Sequence, residues 1–269
     1  MTTPREASAV CELALAARAM SELPELAMEQ ARQFTARAAA AACVVQHGAN
    51  GTQVSALRWM FPDGRTPVIL MPTSVKDAEF LASAAVMLAL EAGLPSVFAV
   101  EGDLLAELKA PPQAVTLASA HRFQKLDTSS NGPDAEVQRW ESIVRGNADA
   151  LALAQRDLQP AGDGKVDWLV ISYGLTARAA QGAVEAARQK GIGVDHLVLH
   201  TLSPLPERLI ASAAMGRRYV VVAERNLGQV HREIQRLCPS HAVVLVSALS
   251  RPVESEAVLG ALLKFPRCC

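Results

Sequence analysis

Aromatic side chains make up only 4% of this 269-residue chain, so a sequence that is half apolar must build its core from Ala, Val and Leu. Charge of either sign is not in excess: 26 basic residues face 27 acidic ones, for a formal net charge of −1. That excludes a sequence-independent grip on nucleic acid or on an anionic membrane, both of which need a positive surplus. No apolar run approaches the ~20 residues of a transmembrane helix. Met1-Thr-Thr-Pro-Arg-Glu6 does not open a signal peptide, because no continuous apolar stretch follows a basic one. The expected location is the cytoplasm.

Paired cysteines are missing too. Cys11, Cys43, Cys238, Cys268 and Cys269 are odd in number, and no C-x-x-C pair offers thiolates to zinc or an iron–sulfur cluster. Cys11 and Cys43 fall in helical patterns and read as small buried hydrophobes. Cys268-Cys269 reads as an exposed tail without a prenylation box.

What is present is alternation. Residues 5–46 carry two helical patterns, the second entered at Pro24 and running through Ala38-Ala-Ala-Ala-Ala42. Gly48-Ala-Asn-Gly51 ends it, and the loop at 47–53 reads as a turn after a helix rather than a phosphate cradle. Residues 66–71 form a strand whose exit, Pro72-Thr-Ser74, caps a helix with Asp77 three residues on, in the manner of a capping box. Residues 94–100 are the next strand, followed by a short helix at Leu104, Leu105 and Leu108. Residues 136–156 read as one helix with Val137, Trp140, Val144, Ala148 and Leu151 on a face. Turn-rich segments flank it at 128–134 and 160–164.

Beyond Lys165 the pattern is regular. Apolar runs at 166–172, 194–200, 219–223 and 242–246 alternate with amphipathic helices, which predicts a parallel sheet between helical layers. Function is then sought where polar residues gather at strand exits. The predicted organisation is a unit at 1–125, a linker with a helix at 126–164, and a third segment at 165–269. Gly162-Asp-Gly164 precedes a strand instead of following one, and reads as an exposed loop. His196 and His200, four apart on a strand, share a face but lack a third metal ligand and read as satisfied histidines. Ser172 has no G-x-S-x-G context and is not read as a nucleophile.

The run Val170-Ile-Ser-Tyr-Gly174, then Glu185-Ala-Ala-Arg188, Lys190-Gly-Ile192, Leu202-Ser-Pro-Leu-Pro206 and Val220-Val-Val-Ala-Glu-Arg-Asn-Leu-Gly-Gln229, resembles a transketolase C-terminal-type domain. The Glu-x-Asn-x-Gly-Gln ending is most similar to alpha subunits of the 2-oxoacid:ferredoxin (acceptor) oxidoreductases of pyruvate and 2-oxoglutarate type. Residues 67–78 and 92–97 resemble the closing half of that family's pyrimidine-binding domain. The resemblance implies an α/β three-layer sandwich, mostly parallel, preceded by a truncated pyrimidine-domain-like unit. It implies a shortened alpha-type component of a complex that decarboxylates a 2-oxoacid, passes electrons to iron–sulfur clusters and releases an acyl-CoA. Such a chain is not active alone. A beta subunit would hold thiamine diphosphate and magnesium at a subunit interface, and other subunits the iron–sulfur clusters. This chain would bind none by itself, in a hetero-oligomer without nucleic acid or membrane.

Residues 1–65 show neither the family's Tyr-Pro-Ile-Thr-Pro run nor its thiamine-activating glutamate; Glu25 and Glu29 read as surface helix positions. No catalytic residue and no metal ligand is therefore carried over. Tyr173, Gly174, Glu224, Asn226, Gly228 and Gln229 are the candidate interface or cleft-lining residues. The alternatives for Glu224, Asn226, Gly228 and Gln229 are a wall near the cofactor cleft, or a helix N-terminal turn with Asn226 as cap and Gly228 permitting close approach, while Tyr173-Gly174 reads as serving tight strand-to-helix packing. A non-catalytic structural subunit is the alternative for the chain as a whole.

Overall fold

The computed structural model describes residues 43–48, 66–88, 96–107, 133–159, 165–249 and 251–264. The chain divides into two compact units. The first holds residues 1–49, 53–153 and 201–206, the second residues 50–52, 154–200 and 207–269. This grouping departs from a linear boundary at 160–164. Residues 154–159 join the second unit, and 201–206 join the first.

In the first unit, β1 (Cys43–Gly48), β2 (Val68–Leu70), β3 (Ser96–Glu101) and β7 (Thr201–Ser203) form a sheet in the order β1-β3-β2-β7. The first three strands are parallel, and β7 is antiparallel to β2. Helix α1 (Val75–Met87) links β2 to β3. Ser74 caps α1, its hydroxyl accepting from the Asp77 amide at 3.1 Å, while Thr73 donates to the Asp77 carboxylate. The Ser74 cap expected from the sequence is therefore present. Ala78, Leu81, Ala85 and Leu88 are buried with Val68, Ile69, Leu70 and Phe98.

Two sequence expectations fail here. Cys43–Gly48 is a strand, not the end of an alanine-rich helix, and it pairs along its whole length with β3. Cross-strand pairing has overridden the helix propensity that runs up to it. The premise that the loop after His47 follows a helix falls with it. Nor does a single helix fill 136–156: α3 (Pro133–Gly146) stops at Gly146, turns follow, and residues Ala154–Asp157 form strand β4. Thr201 provides the competing interaction, its hydroxyl donating to the Leu151 carbonyl at 2.5 Å and its amide to that of Leu153 at 3.1 Å. Helix α2 (Gly102–Glu107) completes the unit's described elements. The other N-terminal helix expectations, the segments 128–132 and 160–164, and Cys11, Cys268, Cys269, Glu25 and Glu29 lie outside the described residues.

The second unit is the three-layer sandwich. Its sheet runs β4-β6-β5-β8-β9, with β5 (Val166–Tyr173), β6 (Gly193–Leu199), β8 (Tyr219–Glu224) and β9 (Ala242–Ser247) mutually parallel and β4 antiparallel at one edge. Helices α4 (Thr176–Gln189) and α7 (Ser255–Lys264) pack on one face, their Ala180, Ala183, Val184, Ala187, Val258 and Ala261 meeting Val170, Val194, Val221 and Ala223. Alanine on α4 lets helix and sheet approach closely, so a core with few aromatics still fills. Trp168 and Tyr219 stack at 4.5 Å. Helices α5 (Glu207–Ala214) and α6 (Gln229–Leu237) contact each other, and α6 packs against β8 and β9.

Candidate functional site: the strand-exit turn after β8

β8 lies inside a parallel sheet, and its carboxyl end delivers Glu224 into the turn that starts α6. A helix begins with four amides that have no partner of their own. Here all four are met by side chains from the turn. Asn226 Oδ1 accepts from the Gly228 and Gln229 amides at 2.8 and 2.9 Å. The Glu224 carboxylate accepts from Val230 and His231 at 3.1 and 3.0 Å. The N-cap position itself belongs to Gly228, not Asn226; Gly228 is left-handed with φ 84°, and a Cβ there would sit 3.0 Å from Leu245 Cδ2. The left-handed conformation favours glycine, and any larger residue would also have to push the Leu245 side chain aside.

Tyr173 enters from the neighbouring strand, where Ser172 is in register with Ala223. Its hydroxyl donates to Glu224 Oε2 at 3.0 Å and accepts from Asn226 Nδ2. Gly174, at φ 55°, then turns the chain toward α4. The structure therefore brings Tyr173, Glu224 and Asn226 into one hydrogen-bonded knot, at 2%, 0% and 1% exposure, with Gly228 and the Gln229 amide as its base. Their polar atoms face one another. The Gln229 side-chain Oε1 is buried outside this knot and has no hydrogen bond. Leu227 alone projects from the tip, 64% exposed between two buried neighbours. Sequence reading misses Leu227; the available signal is a single leucine between residues whose roles are purely conformational.

A second polar chain runs through the same unit. Ser172 Oγ and His196 Nε2 are 2.7 Å apart, and His196 Nδ1 lies 3.0 Å from Gln181 Oε1. Gln181 Nε2 donates to Glu185 at 2.9 Å and to Asp157 at 3.4 Å. Those carboxylates fix the amide's orientation, so its oxygen faces the ring, Nδ1 carries the proton and Nε2 accepts from Ser172. Burial pushes the His196 pKa down to about 4, opposed by the charge of Asp157 and assisted by that of Arg188. Ser172 and His196 are both fully buried. Buried and hydrogen-bonded on both ring nitrogens, the pair has the geometry of a satisfied core contact. His200 follows the last residue of β6, so the two histidines do not share one strand.

The described residues do not fit a magnesium-bound diphosphate. Among them no group of three His, Cys, Asp or Glu side chains could hold a metal ion. The α6 N-terminus, the natural anion cradle at such a strand exit, has already given its amides to Glu224 and Asn226. Among the described residues no helix is long and apolar enough to cross a membrane.

Comparison with known proteins bears on the same unit. Residues 166–255 match the pyruvate:ferredoxin oxidoreductase core domain II. The chain is 27% identical to the 2-oxoglutarate synthase subunit KorA of Archaeoglobus fulgidus, over 64% of this chain and 53% of that one. It is 33% identical to KorA of Methanocaldococcus jannaschii, over 50% of this chain and 36% of the relative. It thus spans about half the length of the first of these curated relatives, and less of the second. In fold it is similar to the 2-oxoglutarate:ferredoxin oxidoreductase from Magnetococcus marinus solved with 2-oxoglutarate, coenzyme A and succinyl-CoA bound. The TM-score is 0.62 at 12% identity, covering 82% of this chain and 48% of that one. A split-gene transketolase, solved as an inactive beta4 tetramer, aligns with a TM-score of 0.50 at 14% identity, covering 82% and 65%. The domain match and the relatives point the same way: residues 166–255 are similar to core domain II of pyruvate:ferredoxin oxidoreductase, and the chain is similar to subunits of 2-oxoglutarate synthases.

Proposed function

We propose that this chain is an alpha-type component of a thiamine-diphosphate-dependent 2-oxoacid:acceptor oxidoreductase. The complex would oxidatively decarboxylate a 2-oxoacid to an acyl-CoA and pass the electrons to iron–sulfur clusters in other subunits. The observation that carries this reading is the core domain II match over residues 166–255. Thiamine diphosphate would supply the carbanion chemistry while held by a partner subunit with its magnesium, in the cytoplasm. 2-Oxoglutarate is the first oxoacid to test, because the relatives named above are 2-oxoglutarate synthase subunits.

This chain's own part is positioning. Tyr173, Gly174, Glu224, Asn226, Gly228 and Gln229 form a pre-ordered wall that faces the partner, with Leu227 as its contact. Because the turn's hydrogen bonds are already made, docking against it does not have to order it. A second reading, a structural subunit without chemistry, is favoured by the missing threonine and glutamate motifs in residues 1–65.

The deciding experiment is purification of the native complex with and without this chain. Its 2-oxoglutarate- and CoA-dependent reduction of a viologen dye and its bound thiamine diphosphate are then measured. Loss of turnover without the chain supports the first reading, full turnover the second. Absence of any thiamine-bearing companion refutes both.

A further inference from the structure

The two edges of the second unit's sheet are built in opposite ways. β4 closes one edge with four residues, Ala-Gln-Arg-Asp, antiparallel to β6, with Gln155 and Arg156 exposed. Polar, charged, short edges are how sheets avoid unwanted pairing. β9 at the other edge has none of these devices. Ala242-Val-Val-Leu-Val-Ser247 carries no charge and no proline, and it pairs with β8 in unbroken register over its full length. Val243, Val244, Leu245 and Val246 stay only half-buried, whereas the β8 residues beside them are buried. Among the described residues no strand lies on its outer side.

The backbone says what fits there. The Ala242 amide donates to the Arg218 carbonyl at 3.2 Å and the Ala248 amide to that of Glu224 at 3.4 Å. Even-numbered residues therefore turn their amides toward β8, and Val243, Leu245 and Ser247 turn theirs outward, by the alternation of a strand bonded on one side. His231 Nε2 lies 3.4 Å from the Val243 carbonyl, one of the outward acceptors, and a carbonyl oxygen can accept a second hydrogen bond. Such a row of donors and acceptors is matched by another extended backbone.

We propose that β9 pairs antiparallel with β9 of a second copy of this chain, about a two-fold axis at Leu245. That register sets Leu245 opposite Leu245, Val243 opposite Ser247 and Val244 opposite Val246. Each outward amide then faces an outward carbonyl, and every pair is uncharged, so an isologous contact has no like charges to oppose it. The helical layers match as well. An axis normal to the sheet keeps each face on its own side, so Val244 and Val246, which pack on the α4–α7 core, meet their counterparts across the joint. The inference does not depend on the family reading, because it concerns one chain and its copy.

The test uses the full-length chain. A hydrogen-bonded antiparallel pair brings Cα atoms to ~5.5 Å, inside the disulfide range of roughly 4.4–6.8 Å. Under mild oxidation Leu245→Cys gives an interchain disulfide between the two copies of that position, identified by peptide mass. Val243→Cys, about 14 Å from its copy in this register, gives no more linked dimer than wild type. Leu245→Pro removes an outward amide, along with the leucine side chain near Gly228, and shifts the light-scattering mass from two chains to one. Should that variant misfold by circular dichroism, the two cysteine variants decide alone. A monomeric wild type overturns the proposal, as does equal cross-linking of the two cysteine variants. Cross-linking of the Leu245→Cys thiol to a different subunit of the native complex overturns it too, and gives the edge to that subunit's strand.

Discussion

Glu224 is the residue on which the strand-exit turn depends. It is fully buried and accepts from the Tyr173 hydroxyl and two helix amides. Glu224→Ala leaves those donors without a partner and is expected to cost about 3 kcal/mol, seen as a lower urea midpoint. Tyr173→Phe removes one hydroxyl and is expected to cost about 1–2 kcal/mol. Because both act through one network, the double variant should lose less than the sum. A plain sum would mean that the knot does not act as a unit. His196 gives a pH signature. Its folded pKa of about 4 lies below the ordinary histidine value of 6.5, so between those values the unfolded chain binds more protons. Its contribution is complete above pH 6.5, is lost as the pH falls toward 4, and changes no further below that. The linkage amounts to about 3 kcal/mol. His196→Asn should remove this slope from a series of unfolding curves between pH 7 and 4.5; an unchanged slope would assign it to other groups.

At the scale of elements, β4 is an edge strand, and Arg188 of α4 holds it. Its guanidinium binds both Asp157 carboxylate oxygens at 2.9 Å, the Asp157 carbonyl at 3.0 Å and the Val194 carbonyl at 3.0 Å. Both side chains are partly exposed, so Arg188→Ala should cost only about 1–2 kcal/mol overall. Amide exchange in β4 should nevertheless rise well above that in β5, and equal rates would refute the tie. Gly193 is a stricter position, since a Cβ there would lie 2.2 Å from the Lys165 carbonyl oxygen. Gly193→Ala must displace the start of β5 and is expected to cost about 2 kcal/mol or more, read from its thermal midpoint. Much at this scale is legible in the sequence. The parallel strands after Lys165 follow from apolar runs spaced by alanine-faced helices, and the Ser74 cap from its spacing to Asp77. β1 and β4 are not legible. Cys43–Gly48 sits behind an alanine run that argues for helix, and its strand state comes from β3, far along the chain. β4 is polar, and only its pairing with β6 makes it a strand. Of the site, Glu224, Asn226, Gly228 and Tyr173 can be named from sequence. The swap of capping roles between Asn226 and Gly228 cannot, because it rests on a left-handed φ. Nor can the chain from Ser172 through His196 to Asp157, whose members meet only across neighbouring strands and a helix.

For the whole molecule, the decisive feature is the short strand β7. It interrupts the second unit's sequence between His200 and Glu207, yet it belongs to the first unit's sheet, where it lies against β2. The polypeptide is thus interlaced, leaving its second unit and coming back. Cutting the gene at 160–164, where composition invites it, would give two products that each lack something. The downstream fragment would keep Thr201–Ser203 with no β2 to receive it, and the upstream one would lose both that strand and its clasp on Leu151 and Leu153. Neither half should stay in solution when produced singly, whereas the two made together in one cell should reassemble.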